Sequence, residues 1–201
     1  MKTPNTSPKA TSGIIMSSTM QRIENCNRSL FSSEEQLCMD MFIFSYYAGG
    51  MSLRDMATLT VDKIQNGFLN CETITCPKCI KLTMSLKMLK IINRYKDQTC
   101  GDYLLPIFTS EDDSQPKKES RLSYMTDCIN KTFCIIEMVT GCKELSWHGA
   151  RQAYVDSRLK EGDSIVELYR IIGETALEVD EYYWNHPKLA DRLPYGMHNI
   201  Y

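Results

Sequence analysis

His148 and Arg151 stand three residues apart in the run Leu145-Ser146-Trp147-His148-Gly149-Ala150-Arg151. At helical spacing that puts both on one face. An arginine presents a rigid fork of donors that suits a phosphate. A histidine one turn away can donate to another phosphate oxygen or move a proton. About thirty residues further on lie Tyr182 and Tyr183, hydroxyls of the kind that serve as nucleophiles once activated. Together these are groups for phosphoryl-transfer chemistry. Each also has a plainer reading: a solvated pair on a helix for His148 and Arg151, and packing beside Trp184 for the tyrosines.

Positioning these groups requires a scaffold, and its elements are marked along the chain. Ser32-Ser33-Glu34-Glu35 is a capping box that opens a helix, and Leu37, Met41, Phe44 and Tyr47 follow at helical spacing up to Gly49-Gly50. Ser52-Leu53-Arg54-Asp55 starts a short helix to about Leu59. Val61–Ile64, the turn Gln65-Asn66-Gly67, a strand holding Phe68, Leu69 and Ile74, and a third strand Ile80–Met84 give a small antiparallel sheet. Helices are expected over Leu86–Tyr95, Ser120–Thr140 and Trp147–Glu161, the last closing at Gly162, with another running from Asp163 to Ile172. Thr109–Lys118 reads as a polar loop. Met1–Phe31, rich in Ser, Thr, Asn and Pro, reads as a flexible tail or linker with one weak helical turn near Met20–Asn25. The expected fold class is α+β, mainly α.

In their order these pieces resemble the catalytic domain of the tyrosine recombinases, the phage-integrase family. His148-Gly149-Ala150-Arg151 resembles the family's H-x-x-R box. Ile171-Ile172-Gly173 resembles the approach to its third box, and Tyr183 falls where the nucleophile is placed, with Tyr182 the neighbouring alternative. Upstream, Phe42 to Met56 resembles the first box, and Val61–Met84 resembles the hairpin whose turn carries a catalytic lysine. Lys78 fits that turn, with Lys81 the alternative. The resemblance runs from Ser32 to Trp184. It implies a tail over 1–31, a catalytic domain over 32–184 and a C-terminal tail over 185–201.

What the resemblance implies is site-specific DNA recombination or integration, as carried out for mobile elements. Tyr183 would attack a DNA phosphodiester, with Arg151, His148 and Lys78 (or Lys81) holding the phosphate. No metal or other cofactor is implied. Two positions depart from the pattern: Gly49 stands where the family carries its first arginine, and Glu174 where it carries His or Trp. The first removes a cation and the second adds a carboxylate near the expected anion. Loss of one transition-state donor typically costs about 10²–10³ in rate. Arg54, one helical turn past Gly49, is a candidate substitute. The alternative function is therefore a catalytically impaired, recombinase-derived module that binds DNA or another subunit.

Composition bounds these readings. The 201 residues suffice for one domain with a sizeable core, and neither a membrane-spanning apolar run nor a signal-peptide pattern is visible, so a cytoplasmic protein is expected. The net charge of −2 is unlike that of most DNA binders, but it is unevenly spread. Six basic residues and no acid lie between Thr73 and Lys96, whereas seven acids lie between Glu161 and Glu181 against Arg170 alone. One face is thus suited to phosphates. Among nine cysteines only Cys76-Pro-Lys-Cys79 has a metal-like spacing, and no second pair follows it at zinc-site spacing. The expected partners are double-stranded DNA and further copies of the chain, which in the family assemble as a tetramer on DNA.

Overall fold

The computed structural model describes residues 17–71, 80–164 and 168. The chain runs through α1 (Ser17–Glu24), α2 (Ser33–Tyr47) and α3 (Leu53–Ala57) before the small sheet of β1 (Ile64–Gln65), β2 (Phe68–Cys71) and β3 (Ile80–Thr83). Helices α4 (Leu86–Tyr95), α5 (Gln115–Thr140) and α6 (Trp147–Glu161) follow. The architecture is mainly helical with a three-stranded antiparallel sheet, as expected from the sequence.

Helix α2 is the axis of the fold. The Ser32 hydroxyl accepts the Glu35 N–H, and the Glu35 carboxylate accepts the Ser32 N–H at 2.7 Å, so the capping box forms in full. Every residue from Leu37 to Tyr46 is buried. A helix buried on all sides has no solvent face and must be surrounded by other elements. Phe133 of α5 meets Phe42 edge-on at 4.9 Å between ring centroids, and Tyr154 of α6 meets Tyr46 at 6.4 Å. On the α4 side, Tyr95 donates its hydroxyl to Asp40 at 2.8 Å.

Order begins earlier than the sequence suggested. Residues 17–31 are not a tail, because α1 buries Met20 and Ile23, and Phe31 is buried after it. The weak helical turn read near Met20–Asn25 overlaps α1, whose apolar pair at i and i+3 is a short signal among polar residues. An isolated helix of this length is marginal; tertiary contacts hold it. Glu24 accepts a hydrogen bond from Tyr47 at 2.6 Å and pairs with Lys87 at 2.7 Å, while Arg22 donates to the Thr140 carbonyl at the end of α5.

Strands β1 and β2 turn at Asn66 and Gly67, both at positive φ, as an Asn-Gly hairpin requires. Leu69 pairs with Leu82, both buried, so Lys81 opposite Asn70 faces away from the core. Helix α5 starts at Gln115, five residues before the expected Ser120. Pro116 lies in its first turn, where a missing N–H costs nothing, so the end of the apparent polar loop is helical. The segment around Tyr103–Phe108 is tied in by Leu104 N–H donating to Leu59 O at 2.9 Å, and buries Leu104, Leu105, Ile107 and Phe108. Among the described residues, no helix is long and apolar enough to cross a membrane.

Candidate functional site at the α2–α6 elbow

The H-x-x-R run and the first-box run, a hundred residues apart in sequence, meet at one place. Helix α2 ends at Ala48, and the chain turns through Gly49 and Gly50, at φ of 73° and 76°. This elbow folds back on α2: the Gly50 N–H donates to Ser45 O at 2.8 Å and the Ser45 hydroxyl to Met51 O at 2.7 Å. Ser52 then caps α3, its hydroxyl accepting the Asp55 N–H at 3.1 Å.

Helix α6 comes against this elbow. Ser146 caps it by accepting the Gly149 N–H at 3.1 Å. Before it, Glu144 adopts φ 59°, and the Glu137 carboxylate of α5 accepts the Leu145 N–H at 2.7 Å, fixing the approach. From α6, the Trp147 indole N–H donates to Met51 O at 3.1 Å and Arg151 Nε donates to Gly50 O at 3.2 Å. Trp147 and Arg151 are one turn apart on one face, so two side chains of α6 hold two successive carbonyls of the elbow.

The close approach explains Gly50. A Cβ there would lie 2.3 Å from Arg151 Cβ and 2.5 Å from its Cα. Contacts that short fall on α6 itself, so a side chain at position 50 would displace the helix. Gly50 and the positive φ are together what allow Arg151 to sit at the elbow.

The other expected residues fall out as follows. His148 is exposed on α6, one turn before Arg151. Lys81 is exposed on β3, with its ammonium 4.1 Å from the centre of the Phe68 ring. Arg54 does not turn toward the elbow: it forms a two-pronged ion pair with Glu119 of α5, with Nη2 2.6 Å from Oε2. The expectation that Arg54 replaces the first-box arginine is therefore corrected, because a nearer carboxylate takes it. Lys78, Tyr182, Tyr183, Gly173, Glu174, Cys76 and Cys79 lie outside the described residues.

The basic run is also partly spent inside the fold. Lys87 pairs with Glu24, and Arg94 pairs with the buried Asp40, which Arg28 also grips. Lys90 and Lys96 remain on the exposed surface. The described cysteines are free thiols, and among the described residues no cluster of His, Cys, Asp or Glu is placed to hold a metal ion.

Sequence reasoning did not single out Ser45, Gly50, Glu137 or Trp147 as site-building residues. The Gly-Gly pair after an apolar helix marked a stop, but nothing in the linear pattern said that another helix would touch it.

The fold is recombinase-like, with the mainly helical, small-sheet layout of a recombinase catalytic domain. The solved structure showing this is the crystal structure of XerA recombinase. The match has a TM-score of 0.59 at 17% identity and covers 99% of this chain and 68% of that chain. No family model and no curated protein matches the sequence.

Proposed function

We propose that this chain binds double-stranded DNA at the α2–α6 elbow and recombines it by strand cleavage and rejoining through a phosphotyrosyl intermediate. The observation that carries the reading is the seating of Arg151 on the Gly50 carbonyl, with His148 exposed one turn earlier, in a recombinase-like fold. A guanidinium bonded through Nε to a backbone oxygen is oriented by that bond without being neutralised by it.

In the proposed reaction the Tyr183 hydroxyl oxygen attacks the phosphorus. The bond to the 5′ oxygen breaks, and that oxygen leaves with a proton. The 3′ end stays on the tyrosine as a phosphodiester until a 5′-hydroxyl of the partner strand attacks in turn and releases the tyrosine. Bond energy is conserved, so the scheme needs no nucleotide. A tyrosine hydroxyl has a reference pKa of about 10, so its attack depends on the charge held around the phosphate. Arg151, His148 and Lys78, with Lys81 as the alternative to Lys78, supply that charge, and further copies of the chain supply the partner site in a tetramer on DNA.

A second reading has its own support. Gly49 occupies the first-box position with no side-chain cation, and Arg54 is bound to Glu119. A domain short of one clamp cation, and carrying Glu174 where the resemblance implies His or Trp, is suited to holding DNA or a subunit without cutting.

A nicked suicide substrate separates the two. A covalent adduct formed by the wild type and lost in Tyr183→Phe establishes cleavage. An adduct kept in Tyr183→Phe and lost in Tyr182→Phe instead moves the nucleophile by one residue. No adduct in the wild type or in Glu174→His, with DNA binding that weakens steeply in salt, establishes the second reading. DNA binding indifferent to salt overturns both.

A further inference from the structure

Met51 O accepts two hydrogen bonds, from the Ser45 hydroxyl of α2 at 2.7 Å and from the Trp147 indole N–H of α6 at 3.1 Å. The neighbouring carbonyl, Gly50 O, accepts Arg151 Nε. The Trp147 ring lies edge-on to Phe42 of α2, 6.2 Å between centroids at 66°. Trp147 thus joins the core of α2, the elbow and the first turn of α6, one turn ahead of Arg151. Apolar packing on Phe42 could be supplied by any large ring, but the N–H aimed at Met51 O could not: indole is a donor only, and its partner here is a specific oxygen.

Register is the issue at this contact. Helix α6 approaches the elbow over a glycine, with no side chain on Gly50 to interlock with it. Packing of Trp147 on Phe42 and of Tyr154 on Tyr46 holds α6 against α2. Two directional bonds a turn apart, to two successive carbonyls, add polar restraints on the helix both along its axis and about it. Loss of the first bond removes one restraint on the stretch of α6 that carries Arg151, and with it part of what aims the guanidinium.

We propose that Trp147 is a positioning residue: its bond to Met51 O sets the register of α6 against the elbow and thereby aims Arg151. Its consequence for DNA rests on the proposed function, whereas the positioning itself does not require DNA.

Two variants test it. Trp147→Phe keeps a ring against Phe42 and removes the donor. Replacement of Trp147 alone by 3-benzothienylalanine keeps the indole shape and exchanges the N–H for sulfur, so that a folded protein is obtained even where phenylalanine packs poorly. The first readout is hydrogen exchange at Arg151 Nε–H by nuclear magnetic resonance, with the signal assigned through Arg151→Lys. Both variants are expected to speed that exchange about tenfold or more while the melting temperature stays within about 2 °C of wild type. Unchanged exchange at Arg151 in both overturns the proposal.

The second readout is the salt dependence of binding to a short DNA duplex. Arg151→Ala is expected to lower the slope of log affinity against log salt by about 0.9, the loss of one phosphate contact. Trp147→Phe is expected to weaken binding roughly fivefold and to add nothing further in the presence of Arg151→Ala. Additive losses in the double variant overturn positioning through Arg151. A slope that Arg151→Ala leaves unchanged overturns the DNA reading of Arg151 instead, and the exchange measurement then still decides the role of Trp147.

Discussion

The middle and the end of α2 are held in different ways. At its midpoint, Asp40 is fully buried and meets Arg28, Arg94 and the Tyr95 hydroxyl, so that part is pinned by charge. At its finish, the pins are backbone oxygens: Ser45, Trp147 and Arg151 donate to the carbonyls of Met51 and Gly50. A carboxylate that grips an arginine also neutralises it, and the cation becomes part of the scaffold. A carbonyl that grips an arginine orients it by a single directional bond. The first arrangement pins α2 through charge, and the second fixes the elbow against α6 through backbone oxygens.

The difference can be broken most severely at the elbow. Gly50→Ala combines a left-handed backbone with a Cβ 2.3 Å from Arg151 Cβ. Backbone strain and overpacking together should cost roughly 2–5 kcal/mol, read as a lower urea midpoint. A side chain at Gly49, at φ 73°, should be strained by about 1 kcal/mol.

At the charged midpoint, Asp40→Ala leaves Arg28 and Arg94 facing each other and the Tyr95 hydroxyl without its acceptor. The expected loss is about 3 kcal/mol, reduced from the fully buried case because both guanidinium groups reach water. Denaturation in urea measures it. Salt should narrow the gap between variant and wild type at Asp40 and leave the elbow variants unaffected.

Alkaline titration should strain both parts together. Burial pushes the Cys38 thiol up to about 12 from its ordinary 9.0. Burial, reinforced by a neighbouring carboxylate, also raises Tyr95 beside Asp40 and Tyr47 beside Glu24 from the ordinary 10.0. These groups are kept neutral in the fold and ionise sooner in the unfolded chain. Their stabilisation is therefore complete below about pH 9 and is lost as pH rises toward 12. Urea midpoints should fall across that window, and less steeply in Tyr95→Phe.

The smallest effect is expected at Arg54 and Glu119, a pair that lies in water. The Arg54 hydrogen bond holds the Glu119 carboxyl below its ordinary 4.5, so any contribution is present above that value and fades as pH falls further. Glu119→Gln should leave the melting temperature at neutral pH unchanged within error. If it raises DNA affinity, Arg54 has been released toward the elbow, and the contrast between scaffold cations and site cations is sharpened.

Much of this was legible in one dimension because its causes are local. Ser32 and Glu35, Ser52 and Asp55, and Asn66-Gly67 carry their own hydrogen-bonding or backbone logic within a few residues, so helix starts and the hairpin could be read directly. The span of α6 from Trp147 to Glu161 was read with Gly162 as its closing glycine. The same locality misled at residues 17–31, where two buried apolar side chains sit in a polar stretch, and at Gln115, where proline looked like a loop and was a first turn.

The sequence by itself determined which side chains are available: His148 and Arg151 on one helical face, a glycine pair after an apolar helix, and a basic run that extends through α4. Only the tertiary structure decided how they are used. It set Arg151 on Gly50 O, Arg94 on Asp40, Lys87 on Glu24 and Arg54 on Glu119. The reason is physical: helical and turn preferences act over a few residues, whereas the choice of partner for a long charged side chain depends on which carboxylate or carbonyl packing brings within reach.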